Sequence, residues 1–218
     1  MSRQVPTRRR ELQHWRNGAR SIVGLDEVGR GPLAGPVVTA AVSLPLDHRP
    51  AWLSELRDSK QLSARQRELL APQIREGSLQ WALGWVHASE LDEIGMTAAL
   101  RLACRRALEQ LPAAPDVVIA DGRDDLRLAV RTEMVVKGDA SVSSIAAASI
   151  IAKTARDAWM ITLDEQYPGY GFARHKGYGS PEHLRALEQL GSCPEHRRSF
   201  APVAAQNQPR LALDAAAS

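Results

Sequence analysis

Apolar positions along the chain recur with two different periods, which divides it into strands and helices. Residues 21–25 and 35–44 are apolar, β-branched runs bounded by Gly and Pro, a pattern that predicts two strands. The Gly-rich stretch from Asp26 to Ala34 between them predicts a turn. Ser63-Ala-Arg-Gln66 has the spacing of a capping box, so a helix is expected from about Ala64 to Arg75. Residues 79–87 predict a third strand. Over residues 88–111 apolar side chains recur at helical spacing (Leu91, Ile94, Ala98, Leu102), and Pro112 and Pro115 end that helix. Residues 116–120 form a short, apolar strand of the kind buried on both faces, and residues 133–136 predict another. Residues 144–163, rich in Ala and Ile and almost uncharged in their first half, predict a buried helix; residues 181–190 predict a surface helix. The order β-β-α-β-α-β-β-α implies an α/β domain with a mixed central sheet flanked by helices.

Composition narrows the class. A chain of 218 residues with 44% hydrophobic and 24% charged side chains can bury a full core, which excludes wholesale disorder. No apolar run reaches the roughly 18 residues that a membrane span needs. The first ten residues are charged with no apolar stretch behind them, so no secretory leader is expected. Two cysteines, Cys104 and Cys193, make neither a disulfide framework nor a zinc set, which suits a reducing cytoplasm.

Charge is unevenly placed. Residues 1–20 hold Arg3, Arg8, Arg9, Arg10, Arg16 and Arg20 against the single acid Glu11, a local +5 that leaves −2 for the remaining 198 residues of a +3 chain. A basic arm on a near-neutral body suits a polyanion, bound through counterion release. The expected organisation is an arm over residues 1–20, a body over 21–203 and a tail over 204–218. Lysine is confined to Lys60, Lys137, Lys153 and Lys176, each in a Gly-, Ser- or Asp-containing stretch. An ammonium and a guanidinium fork are not interchangeable, so these positions are candidate sites of contact.

Acids follow the ends of predicted strands. Asp26 and Glu27 follow the first, Asp121 the short apolar one, and Asp139 the strand over 133–136. Strand ends on one edge of an α/β sheet converge, and ligands bind in that crevice. Four carboxylates on one rim disfavour each other's ionised form unless a cation is present. All-oxygen donors favour magnesium or manganese over zinc, and such a cluster suits two-metal phosphoryl transfer. Each signal alone has a plainer explanation: an Asp-Gly turn at Asp121, a polar loop at Asp139, a solvated corner at Asp26 and Glu27. Their shared position after strands is what points to a site.

Gly24-Leu-Asp-Glu-Val-Gly-Arg-Gly-Pro-Leu-Ala-Gly-Pro36 resembles the signature of the ribonuclease HII family, the bacterial type 2 ribonucleases H. Further matches follow in order at Asp58-Ser-Lys-Gln-Leu-Ser63, Ile119-Ala-Asp-Gly122, Lys137-Gly-Asp-Ala140, residues 145–157, His175-Lys-Gly-Tyr-Gly-Ser180 and Arg198-Ser-Phe-Ala-Pro-Val203. The resemblance spans about residues 21–203. It implies a ribonuclease H-like fold with a small C-terminal helical part, and a monomer. It also implies hydrolysis of RNA in RNA–DNA hybrids, with cutting 5′ of single ribonucleotides in duplex DNA to leave a 3′-hydroxyl and a 5′-phosphate. The family's metal-binding tetrad maps onto Asp26, Glu27, Asp121 and Asp139. Its Gly-Arg-Gly element, whose backbone senses the 2′-hydroxyl, maps onto Gly29, Arg30 and Gly31, and its sugar-packing tyrosine onto Tyr178. Lys60 is expected on a phosphate.

Two other classes compete with that enzyme: a non-catalytic hybrid-binding module, and another nuclease or recombinase of the same fold. The intact tetrad argues against the first, and Tyr178 with the Gly-Arg-Gly element against the second. Lys153 and Asp157, four apart on one helix, are expected to pair, which leaves Asp157 structural. His175 and His196 are expected to be neither ligand nor base, and Trp81, Trp85 and Cys104 are expected in the core. In the tail, Gln208-Pro-Arg-Leu-Ala-Leu213 resembles the short peptides with which bacterial proteins grip the DNA sliding clamp.

Overall fold

The computed structural model describes residues 5–206. After α1 (Arg9–Arg16) come β1 (Ile22–Val28) and β2 (Val37–Ser43), then α2 (Ala64–Gly77) and β3 (Gln80–Val86). Helices α3 (Ala88–Ile94) and α4 (Met96–Glu109) lead to β4 (Val117–Asp121) and β5 (Arg131–Val135). The chain closes with α5 (Gly138–Ser141), α6 (Ser143–Gln166), α7 (Phe172–His175), α8 (Pro181–Leu190) and α9 (Ala201–Gln206). The five strands form one mixed sheet in the order β3-β2-β1-β4-β5. β2 runs antiparallel to both β1 and β3, while β1, β4 and β5 are parallel.

Both faces of the sheet are covered, which is why β1, β2 and β4 read as continuous apolar runs. On one face Ala40 and Val42 pack against α2 and the Ala/Ile-rich first half of α6. On the other, Val23, Leu25 and Ala41 meet Cys104 and Ala107 of α4. The edge strand β3 alternates instead: Ala82 and Val86 are buried, whereas Trp81 and Trp85 are only half-buried. Neither tryptophan is therefore fully buried, although Trp81 packs against the core. Trp81 lies under the Arg75 guanidinium and Trp85 against Trp159.

Ser63 and Gln66 form the expected capping box, and α2 starts there. The single helix expected over residues 88–111 is two. Gly95, at φ +77°, accepts the left-handed turn that ends α3 and starts α4, a conformation costly for any residue with a side chain. Among the described residues no helix is long and apolar enough to cross a membrane.

The described part of the N-terminal segment is packed onto the body. The one acid of that segment is its anchor: Glu11 is buried and accepts a hydrogen bond from the Ser144 amide at 2.8 Å, satisfying the first turn of α6. Backbone bonds from Thr7 to Ser141 and from Ser143 to Thr7 fasten it further. Beyond α6, a small helical part closes around Tyr170, Phe172, Ala186 and Cys193, with Leu187 and Val203 meeting Leu33. The peptide from Gln208 to Leu213 lies outside the described residues.

Candidate active site

The register of the parallel strands brings the acids together. Leu25 pairs with Ala120, so the next residues along are Asp26 on β1 and Asp121 on β4. Asp121 in turn pairs with Val135, the last residue of β5. The chain then turns through Lys137, in the left-handed region at φ +55°, and enters α5 with Asp139 as its second residue. The Gly138 amide donates to Asp121 Oδ1 at 2.6 Å and ties that turn to the strand end. Glu27 follows Asp26 at the end of β1 and is held by Arg30 at 3.3 Å. All four acids thus come to one rim from three strand ends.

Their electrostatics show the crowding. Burial raises the Asp26 carboxyl well above the usual carboxylate range, and the charges of Glu27, Asp121 and Asp139 raise it further. Burial and Asp121 also raise Glu27, against the pull of Arg30. Asp139 is raised by burial, Asp58 and Asp121, with Lys60 opposing. Asp26 and Asp139 are 7% and 8% exposed, so water does little to relieve this repulsion. Oxygen donors that push each other toward protonation are a fitting set for a hard divalent cation. Among the described residues no group of three or more His, Cys, Asp or Glu side chains is already drawn together closely enough to hold a metal ion. The acids line a rim, where an ion's remaining ligands can come from water or a phosphate.

Lys60 stands at that rim, its ammonium 4.0 Å from Asp139 and 83% exposed. Partial burial works against its charge, but Asp139 and Asp58 together hold its pKa above the usual lysine value. Asp58 accepts a hydrogen bond from the Lys60 amide at 2.9 Å, which fixes the turn that carries the ammonium.

The strand β1 runs directly into Gly29, Arg30 and Gly31. Gly29 has φ +96°, and a methyl group there would fall 2.5 Å from the Pro36 carbonyl oxygen, so only glycine fits this turn. Gly31 is exposed, and the Tyr178 ring faces it: a methyl on Gly31 would lie 3.6 Å from Tyr178 Cε1. Tyr178 is itself 44% exposed and so presents an aromatic face beside the acids' strand.

Two arginines that the sequence did not single out hold this loop. Arg197, fully buried, donates to the carbonyls of Gly29 at 2.6 Å, Arg30 at 3.1 Å and Gly35 at 2.8 Å. Arg156, equally buried, donates to Pro36, Lys176 and Ala34. Among the described residues neither has a carboxylate ion-pair partner, and burial pulls their pKa values down to about 9 and about 10. Arg156 could have been found, because it continues the buried stripe Ile145, Ser149, Ala152 of α6. Nothing in the sequence around Arg197 separates it from the surface arginines.

The remaining candidates are spent elsewhere. Asp157 pairs with Lys153 at 2.7 Å and with Arg67 at 3.6 Å, joining α6 to α2. His196 is buried against His183, their Nε2 atoms 3.0 Å apart, and His175 bonds the Tyr170 carbonyl. Cys104 is buried beside Thr39.

Comparisons with known proteins give the family and the fold. The family model described as ribonuclease HII matches residues 23–203. A ribonuclease HII from Myxococcus xanthus is 50% identical over 88% of this chain, a match spanning 65% of that protein's length, just under two thirds. One from Bordetella pertussis is 50% identical over 86% of this chain and 92% of its own. Among solved structures, ribonuclease H2 from Pyrococcus horikoshii superposes with a TM-score of 0.74 at 26% identity, covering 86% of this chain and 97% of that one. A complex of PCNA with RNase HII from Archaeoglobus fulgidus gives 0.71 at 26%, over 87% and 98%. A Bst-RNase HIII with bound Mn2+ gives 0.63 at 24%, over 87% and 70%, and shows the fold alone. This chain has the ribonuclease H-like fold and belongs to the ribonuclease HII family, endonucleases that hydrolyse the RNA of RNA–DNA hybrids.

Proposed function

We propose that this chain cuts RNA–DNA hybrids, and duplex DNA carrying a single ribonucleotide, on the 5′ side of the ribonucleotide, leaving a 3′-hydroxyl and a 5′-phosphate. The observation that carries this is the meeting of four carboxylates from three strand ends with an exposed tyrosine over Gly31. Asp26, Glu27, Asp121 and Asp139 are assigned as the holders of two magnesium or manganese ions. Bound there, the ions would supply a water nucleophile at neutral pH and stabilise charge on the leaving oxygen.

The chain's own groups have separate tasks. The acids would hold the ions that meet the scissile phosphate, and Lys60, on the same rim beside Asp139, neutralises a neighbouring phosphate. Arg197 already occupies the Gly29 and Arg30 carbonyls, which leaves the exposed Gly31 peptide as the backbone group open to a 2′-hydroxyl. That hydroxyl distinguishes RNA from DNA at a given position. Tyr178 packs its ring on the sugar and fixes which nucleotide lies over the acids. Residues 21–203 act as the catalytic unit and the chain works as a monomer. The peptide Gln208-Pro-Arg-Leu-Ala-Leu213 is assigned to a sliding clamp; the PCNA complex of the Archaeoglobus fulgidus protein supports that class of partner.

The test is cleavage of a labelled duplex with one ribonucleotide under magnesium, manganese and EDTA, with Asp121→Asn beside the wild type. A single metal-dependent cut 5′ of the ribonucleotide, lost in the variant, is expected. Tight binding without a cut under either metal would leave a hybrid-binding module instead. For the tail, deletion of residues 204–218 is expected to abolish capture by the bacterial clamp while cleavage continues.

A further inference from the structure

We infer that a groove between α1 and the loop after β2 grips the sugar–phosphate backbone of the duplex that flanks the cut. The inference rests on the endonuclease assignment above and extends the substrate contact beyond the acid rim. The groove measures about 400 Å³ and is lined by Arg8, Arg9, Arg16 and Arg49 over an apolar floor that includes Leu12 and Leu53. Among the described residues no carboxylate lines it.

The arginines around it divide by task. Arg8 donates to the carbonyls of Pro45 and His48 at 2.5 and 2.6 Å, which fastens α1 to the β2 loop and builds the groove wall. Arg10 lies on the other side of α1 and pairs with Glu133. Arg9, Arg16 and Arg49 are exposed and have neither an ion-pair nor a hydrogen-bond partner among the described residues. Neighbouring acids do not neutralise them: Glu11 is buried against Ser144, and Asp47 is paired with His48. Three unpaired guanidinium forks along one groove match successive phosphates, since each fork can engage two phosphate oxygens.

Position supports the same occupant. Thr7 and Ser143 also line the groove, and the Thr7 amide bonds the Ser141 carbonyl, two residues after Asp139. The groove therefore opens where the candidate catalytic helix α5 ends. A duplex with its scissile phosphate at the acid rim extends beyond it, and the inferred grip is on that flanking backbone. The groove presents charge with no array of base-reading amides, so it holds phosphates irrespective of sequence and of sugar.

The test compares the wild type with R9Q/R16Q/R49Q, and with R105Q as a control on exposed α4 across the sheet. Each is titrated by anisotropy with two duplexes carrying one ribonucleotide, one ending within a helical turn of it and one extended by two turns. Losing three phosphate contacts is expected to make the salt dependence of binding to the long duplex shallower by about 2.7 in log–log slope. KM on that duplex should rise by roughly tenfold with kcat unchanged, and R105Q should match the wild type. Binding of an all-DNA long duplex should weaken equally. An unchanged slope in the triple variant overturns the inference, as does an equal loss on the short duplex, which would place the defect at the acid rim. Binding is read without cutting, so a wild type that binds and fails to cut refutes the endonuclease assignment while the slope still decides the groove.

Discussion

Two regions that bury charge in this molecule treat it in opposite ways. At the strand ends, Asp26 and Asp139 are buried, and burial and neighbouring acids push both toward protonation. Behind them, Arg156 and Arg197 are buried more completely, yet each guanidinium is ringed by backbone carbonyls. A charge without compensation is costly inside a protein, and one matched by oriented dipoles is not. The carboxylate rim is therefore poised for a cation from outside. The arginine pair is complete as it stands, and its product is a rigid Gly29–Gly31 loop at a fixed place beside the rim. Flexibility of charge sits where chemistry is assigned, and satisfaction of charge sits where geometry must be held.

The largest effect should come from removing a charge at the rim. Asp26→Asn is expected to lower cleavage on the order of 10³-fold or more, as loss of a main electrostatic contributor at a reacting centre does. The same change should stabilise the metal-free fold, because it removes one member of the repelling set. The sign with pH follows from the raised folded-state pKa. Such a group stabilises the fold below its unfolded value, and that stability is lost as pH rises through the folded value. The Tm difference between D26N and wild type in EDTA should thus grow from pH 5 toward pH 8. Magnesium should raise the wild-type Tm more than that of D26N. A D26N protein less stable than wild type at pH 8 without metal would break the contrast.

The opposite sign is expected for the satisfied region. Arg197→Met leaves the Gly29, Arg30 and Gly35 carbonyls without their donor and should cost about 3 kcal/mol in denaturant unfolding at every pH near neutral. Where the variant still folds, the ratio of cutting at a single ribonucleotide to cutting in a continuous hybrid should change more than the metal requirement does. The His183–His196 pair gives a smaller effect with its own pH window. Burial, then the neighbouring His183, pulls the His196 pKa down to about 4. Its neutral form is required in the fold, so the stability it protects is present above the unfolded value of about 6.5 and falls as pH drops toward 4. Thermal melts between pH 7 and pH 4 should show this decline, and His196→Asn should flatten it.

Much of this arrangement was legible in the sequence, because period and punctuation are local signals. Apolar runs marked β1, β2 and β4 as strands, with β4 expected to be covered on both faces, and the Ser63–Gln66 spacing marked the start of α2. The acids stood out because each follows such a run. What the sequence left hidden depends on contacts between distant segments. Gly95 falls within an otherwise helical pattern, and the break there shows only in its positive φ. Trp81 and Trp85 look like core residues until β3 proves to be the edge of the sheet. Arg197 is bonded to carbonyls more than 160 positions earlier, a relation no local pattern carries. The basic N-terminal segment looked uniform in composition, and its single acid turned out to be the residue that anchors it.

That anchoring supplies the smallest expected effect. Two of the contacts that hold α1 to the body differ in burial: the bond from Ser144 to buried Glu11, and the pairing of Arg10 and His14 with Glu133 on β5. The Arg10 and Glu133 side chains are 46% and 30% exposed, so water competes for both charges and the pair should contribute at most about 1 kcal/mol. Arg10→Gln is therefore expected to shift Tm by no more than a few degrees, and less at high salt. Glu11→Ala removes an acceptor at the first turn of α6 and should cost about 1–2 kcal/mol, independent of salt. If R10Q proved the more damaging of the two, exposure would not be what grades charge in this fold. The contrast between rim and arginine pair would then need another cause.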